Sequence, residues 1–540
     1  MKKRILYIGL IVAAVFQSCS LEVEPLDRYS EEVAWRNEKN MDMYVKGFYA
    51  GLRDKADVYT NTFSDGLSDL FKYSVNNLNA VTYHNKTLLQ ENYITANNGV
   101  LSEWGNYDRI KSLNEFLLNI DDKGADIDEQ SRAIRKAEVR FLRAFLYYRM
   151  IRNHGGVILR LERSGDDGGL DNEKDINKKR ESEADSWAFV IKELQEAAAA
   201  LKGHVWTAAD YGRITEGAAQ ALLSRVALYA KQYPVVIQAG KRVEELGYVL
   251  DNSYEQVFKN AQSKEIILPV MFEAPEYVHY ADRYFAPTGD VPNRGGWGGP
   301  TEELVSLYQI KEGDKFVDFN WNNANHKEAP YANREARFYA SILYHGANWN
   351  NRQIQVNAGG KDAFTAYDQN SNTIGNVTGY FMRKFLTEGN PDVDLGSTSY
   401  WVELRMGEVL LNMSEAYAQT NDFTNAYAYL NKIRTRAAVS PRASGSTLAV
   451  FMDYLGKERM VELAFEGHRY WDLKRWKKAI EVIDGKRATG VQVSGSAGAF
   501  TFNRVQIESI DRYFPEKYYL IPIPQSELAN NSEALQNDKW

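Results

Sequence analysis

The sequence predicts a mainly α protein, a helical-repeat scaffold that carries one large loop-rich part. Apolar residues recur at helical spacing in one segment after another. Two helix–turn–helix stretches, 227–243 and 405–437, share a pattern of small and aromatic residues. Between them, residues 268–400 lose that periodicity and gain Gly, Asn, Tyr and Trp.

Residues 1–18 read as a signal peptide outside the scaffold. Lys2, Lys3 and Arg4 form a positive start, and residues 5–16 are an apolar run of secretory length, short for a bilayer span. Cys19 follows at once and is the only cysteine, which excludes an intrachain disulfide and a cysteine zinc site. The run "VFQSC" resembles a bacterial lipobox, which implies cleavage before Cys19 and lipidation there. Glu22 and Glu24 resemble the acidic surface-export signal of Bacteroidota lipoproteins. Residues 19–540 are then one lipid-anchored domain, each buried CH₂ of the anchor contributing about 0.8 kcal/mol. No later stretch reaches 18 consecutive apolar residues.

Along the mature chain, residues 71–95 read as a first loop-like stretch, with Tyr73, Asn76, Asn77 and Tyr83. In 133–150, Ala137, Phe141, Ala144 and Phe145 fall on one helical face, and Gly155-Gly156 suits the helix end. A helix follows over 186–201, with Ser186 as its N-cap, then a pair over 216–230 and 235–246. In 405–437, Ala416, Ala418, Ala426 and Ala428 lie where two helices would approach closely. Asp422-Phe423 opens the second of them as in a tetratricopeptide repeat, and 227–243 echoes the pattern. Such units bury their faces only by stacking on neighbours, so they need another mass to pack against. Residues 268–400 supply it, and Trp297, Trp321, Trp349 and many tyrosines argue against disorder there.

The dense stretch "FEGHRYWDLKRW", 465–476, combines acids, bases, cations and two tryptophans. It reads as a packing clamp. A helix over 458–466 ends at Gly467 in a left-handed cap, and a second helix runs over 468–478. A net charge of −7 gives no basic footprint for nucleic acid. No H-E-x-x-H or G-x-S-x-G motif occurs. Asp314 and Asp318 are loop carboxylates without EF-hand spacing, so a structural calcium has no support and no cofactor is expected.

Six ordered motifs resemble the SusD/RagB family of outer-membrane, glycan-binding lipoproteins. They begin with "SEWGNYDRIKSLNEFL", carried by Trp104, Tyr107, Ile110 and Asn114, and "AEVRFLRAFLYYRMIRNHGGVIL", where Ile158 replaces the usual Pro. "REARFYASILYHGANW", "LRMGEVLLNMSEAYA", "KERMVELAFEGHRYWDLKRW" and "YYLIPIPQSELANNSEALQNDKW" follow in the family's order. The resemblance implies a SusD-like scaffold with four tetratricopeptide-type repeats and a loop-rich ligand-binding part. It implies an outer-membrane protein facing the cell exterior, partnered by a SusC-like TonB-dependent transporter, with no turnover.

The resemblance also places the glycan platform on loops in the two aromatic-rich stretches. Sugar recognition needs flat aromatic faces and directed donors and acceptors. Trp297 sits between glycine pairs, and Trp321 sits beside Asn320, Asn322 and Asn323. Tyr73, Asn77 and Tyr83 form the expected opposite side, while Trp349 reads as structural. Two other readings stay open. A surface glycoside hydrolase would need two carboxylates across a cleft. A tetratricopeptide-type adaptor would bind peptide or glycoprotein on its concave helical face.

Overall fold

The computed structural model describes residues 31–75, 79–161, 177–370, 374–445, 447–496 and 499–540. Residues 1–18, Cys19 and Asn77 lie outside them.

The first helices are α1 (Glu38–Phe48), α2 (Asn79–Leu89) and α3 (Tyr107–Lys123). The long α4 (Glu129–His154) starts at Asp128, whose side chain accepts from Ser131 N, and stops at Gly155 with φ 75°. Ala137, Phe141, Ala144 and Phe145 are all buried on it. Helix α5 (Glu183–Ala200) begins three residues before the expected start, because Ser182 is its N-cap. Ser186 lies inside that helix and bonds back to the Ser182 carbonyl at 2.8 Å. Ile158 in place of proline also has a physical reason. Its N–H donates to the Tyr107 hydroxyl at 2.8 Å, a bond proline cannot make.

Two antiparallel pairs follow: α6 (Glu216–Tyr229) with α7 (Tyr233–Glu245), and α8 (Met406–Gln419) with α9 (Phe423–Arg436). Asp422 caps α9, accepting from Asn425 N at 3.1 Å. Ala416, Ala418 and Ala426 are fully buried, but Ala428 faces solvent. Close approach at this seam is carried instead by Ser414, whose hydroxyl donates to the Ala426 carbonyl at 2.8 Å. A Cβ on Gly240 would lie 2.3 Å from Met413 Sδ, so α7 meets α8 across a glycine. Arg225 then ties α6 to α8 through Glu408 at 2.7 Å.

Helix α10 (Leu448–Glu462) ends four residues before the expected stop. Phe465 and Gly467 both take positive φ in the following turn, and α11 (Arg469–Arg475) restarts the chain. Gly467 is therefore left-handed as expected, but as part of a turn after the helix.

The loop-rich part is an excursion closed at its base. Strand β2 (Ile266–Val270) pairs antiparallel with β4 (Trp401–Arg405), so residues 271–400 leave and return side by side. Within it run only short strands and short helices. Its link to the first loop-like stretch is β1 (Phe71–Tyr73) paired with β3 (Gly298–Pro300), Tyr73 opposite Gly298. A hairpin of β5 (Thr489–Ser496) and β6 (Ala499–Gln506), which the sequence did not predict, leans on the same part. Thr489 Oγ1 donates to Glu303 at 2.6 Å, and Val491 N donates to the Thr378 carbonyl at 2.8 Å.

Candidate functional site

The segment "NRGGWGGP" is fixed by its glycines. A Cβ on Gly295 would meet the Ala286 carbonyl oxygen at 2.6 Å, and Gly296 has φ 73°. On the other side, a Cβ on Gly298 would meet Phe71 at 2.5 Å, and one on Gly299 the Tyr380 carbonyl oxygen at 2.5 Å. Trp297 is thus held between two places that admit no side chain. Its backbone N–H donates to the Tyr284 carbonyl at 2.8 Å, and its carbonyl accepts from Ser74 N at 2.8 Å.

The Trp297 ring does not stand alone. Tyr284, from the short helix Ala281–Phe285, stacks on it at 3.8 Å between centroids and 25° between planes. Both rings are half-buried, so the flat surface is a two-ring platform. The Trp297 indole N–H has no hydrogen-bond partner. Tyr280, one helical turn before Tyr284, continues the aromatic run at 6.3 Å. Arg283 lies 5.5 Å from the Tyr284 ring and pairs with Asp394 at 3.5 Å, and Arg294 joins the same carboxylate. Beneath the loop, Arg352 bridges Asp290 at 2.9 Å and Asp362 at 2.7 Å. These pairs fix loops that lack long secondary structure.

The other side is built from residues 71–75 and 79–89. Asn85 on α2 donates to the carbonyls of Tyr73 at 3.2 Å and Val75 at 2.8 Å, and accepts from Lys72 Nζ at 2.8 Å. The Lys72 ammonium lies 3.8 Å from the Tyr367 ring centre. Burial pushes it down to about 8, against the pull of Glu508 at 3.3 Å. Burial pushes Glu508 upward, but Arg512 and Lys72 outweigh it and hold that carboxyl at about 2.

The proposed site residues separate on this frame. Trp297 is in the platform, and its loop is joined to the 71–75 segment by β1 and β3. Tyr83 is on α2 and 43% exposed, open to a ligand. Tyr73 is a correction: it is fully buried, its hydroxyl donates to the Phe63 carbonyl at 3.0 Å, and it packs at 5.1 Å from Phe71. The strand pairing turns that ring into the core. Trp321 is half-buried and held by its own partners. Its N–H donates to Glu302 at 2.8 Å, and its ring meets Phe319 edge-on at 5.2 Å. Asn320 and Asn323 serve the local turn, Asn323 accepting from Asn325 N at 3.0 Å. Trp349 is buried in the core. The sequence reading missed Tyr284 and Tyr280. Their i, i+4 spacing in "YADRYF" was the available signal. Among the described residues, no group of three or more His, Cys, Asp or Glu is placed to hold a metal ion.

The fold is thus a helical-repeat scaffold that carries a stacked aromatic pair on loops closed at their base. The chain belongs to the SusD family, whose model matches residues 264–540. A second family model, described as starch-binding associating with outer membrane, matches residues 21–228. SusD-like protein P25 of Formosa agariphila is 23% identical over 89% of this chain and 90% of its own. A SusD-like protein from Bacteroides fragilis superposes with a TM-score of 0.79 at 26% identity, covering 95% of this chain and 99% of that one. A SusD-like carbohydrate-binding protein from the same species gives 0.78 at 24% identity, over 92% and 99%. A laminarin-binding SusD-like protein shares the fold at 0.67 and 20% identity, over 93% and 100%. No described helix is long and apolar enough to cross a membrane.

Proposed function

We propose that this chain captures oligosaccharide or polysaccharide at the cell surface and delivers it to a SusC-like TonB-dependent transporter, anchored in the outer membrane through lipid on Cys19. The observation that carries this reading is the Tyr284–Trp297 pair, stacked at 3.8 Å and joined through β1 and β3 to the 71–89 segment. The pair offers a rigid apolar face for the C–H side of a pyranose ring, and nearby Arg283 and Arg294 supply hydroxyl-directed donors. Arginine donors already turned toward Asp394 keep their geometry, so ordering them for a sugar costs little entropy. Membership of the SusD family supports the same reading, as do the carbohydrate-binding relatives. Trp321 and Tyr83 are secondary contacts in this reading, and the protein releases its ligand unchanged.

The test is calorimetry of the mature protein against a polysaccharide panel, followed by Trp297→Ala and Tyr284→Ala on the ligand found. Each substitution is expected to weaken binding about tenfold, the equivalent of about 1.4 kcal/mol, with an unchanged circular dichroism spectrum. Binding to no glycan, with capture of a peptide ligand instead, would defeat the reading. Full affinity in both variants would move the site away from this platform.

A further inference from the structure

The stretch 465–476 contains a cation that the clamp does not explain. Lys474, in the last turn of α11, is 5% exposed, and its Nζ has no hydrogen-bond partner. Buried lysines elsewhere in the described residues have carboxylates: Lys72 pairs with Glu508 at 3.3 Å and Lys384 with Glu466 at 2.5 Å. Lys474 has none, although Asp472, Glu466 and Glu415 lie in or beside the same clamp, because arginines occupy all three. Arg459 and Arg475 take Asp472, Arg405 takes Glu466, and Arg475 also takes Glu415.

A second cation shares its surroundings. Arg152, near the end of α4, lies with its guanidinium carbon 3.9 Å from the Trp471 ring centre, and Lys474 Nζ lies 5.1 Å from the same centre. Arg152 donates to the Tyr148 hydroxyl at 3.1 Å, but its buried Nε has no partner, and it makes no ion pair among the described residues. Tyr470, whose ring centre is 5.3 Å from Lys474 Nζ, is 1% exposed, and its hydroxyl also lacks a partner. Two buried donor atoms without a partner, Lys474 Nζ and Arg152 Nε, thus belong to cations set over the Trp471 ring, and the unpartnered Tyr470 hydroxyl belongs to the neighbouring residue. Leaving a charged donor buried and unpaired is costly, more so than leaving a neutral polar group without a partner. Aromatic faces and the end of a short helix offset part of that but accept no N–H directly.

We propose that Lys474, Arg152 and the Tyr470 hydroxyl hold a small inorganic anion of the halide class against Trp471. In this set only the Tyr470 hydroxyl can accept, and the charges of Lys474 and Arg152 repel a cation. A spherical, weakly hydrated ion suits walls made of Tyr470, Trp471 and Tyr148, whereas an oxyanion presents more acceptor atoms than these donors satisfy. Burial first, then the charges of Arg152 and Lys477, press the Lys474 ammonium down to about 7, and a bound anion relieves that pressure. The ion would lock α11 to the end of α4, far along the chain from the platform loop.

Crystals of the mature protein grown or soaked in sodium bromide test this. An anomalous bromine peak is expected within contact distance of Lys474 Nζ in the native protein, and its loss is expected in Lys474→Met. In solution, the unfolding midpoint of the native protein should rise in sodium chloride relative to sodium gluconate at equal ionic strength, and the rise should vanish in Lys474→Met. Arg152→Gln, which keeps a donor but removes charge, should lower bromide occupancy without abolishing it. No bromine peak beside Lys474 in native crystals overturns the proposal, even if Lys474→Met fails to fold. A chloride response of the same size in Lys474→Met also overturns it.

Discussion

At the scale of single residues, the turn at Gly467 gathers two acids, Asp65 buried and Asp57 half-buried. Its φ is 72°, and a Cβ there would lie 2.9 Å from Ser64 Oγ and 3.0 Å from Asp57 Oδ2. Gly467 N donates to Asp65 at 3.1 Å, while Asp57 accepts from Ser64 N at 2.9 Å. Burial, then the Asp57 charge, pushes the Asp65 carboxyl up to about 7, and burial pushes Asp57 up to about 6. A carboxyl whose folded value lies above its unfolded one binds its proton more tightly in the folded state. Its ionisation therefore subtracts stability as pH rises from about 4 through 7, and the full cost stands above that range. Asp65→Asn keeps an acceptor for Gly467 and removes the charge. It is expected to be more stable than the native protein at pH 8, by on the order of 2 kcal/mol, with the gain fading toward pH 4. Urea unfolding across that range measures it, and a pH-independent difference would contradict the assignment.

At the scale of elements, long periodic helices were legible and short strands were not. The i, i+4, i+7 apolar pattern of 133–150 found α4, and the Asp-Phe start found α9. Boundaries slipped where caps competed: Ser182 and Ser186 are both good cap residues, and only the observed chain path chooses between them. The platform was half legible. Glycines around Trp297 marked a constrained loop, but a three-residue strand has too few alternations to be read, so Tyr73 was placed outside when β1 turns it inside. That same strand gives the element-scale prediction. Gly298 lies opposite Tyr73, and a side chain there would enter the Phe71 ring and the Lys72 carbonyl, 2.5 and 2.9 Å away. Gly298→Val should push β3 off β1 and shift Trp297, weakening glycan binding more than tenfold and lowering stability by about 1–3 kcal/mol. Native affinity in a folded Gly298→Val would show that the platform does not depend on this pairing.

For the whole molecule, the family-marker stretch acts through charge. Glu466 does not face solvent. It accepts from Arg405 at 2.6 Å and from Lys384 at 2.5 Å. Arg405 also reaches Glu265 at 2.6 Å and Glu462 at 2.8 Å, and Arg436 joins both acids. Arg337 extends the chain to Glu458 at 2.7 Å and Glu335 at 2.7 Å, and Arg434 takes the other Glu458 oxygen at 2.5 Å. The network thus spans the loop-rich part through Arg337 and Lys384, the closing strands through Glu265 and Arg405, and the repeats through α9 and α10. Burial raises the Glu462 carboxyl, but Arg436, Arg405 and Arg337 outweigh it and hold it well below the usual carboxylate range. Replacing such a network whole can be neutral, but removing one partner leaves buried charges uncompensated, at about 3–5 kcal/mol. Arg405→Met removes the cation shared by Glu265, Glu462 and Glu466 but leaves Arg436 on the first two and Lys384 on the third, so a loss at the lower end of that range is expected. Because the network joins both parts, they should still unfold as one unit. Tryptophan fluorescence, to which Trp297, Trp321 and Trp349 bring three of the chain's 11 indoles from the loops, should shift by the same amount as far-ultraviolet circular dichroism of the helices. An early fluorescence transition in Arg405→Met while the helices hold would mean that the two parts come apart once this arginine is lost, and that the rest of the network does not hold them together.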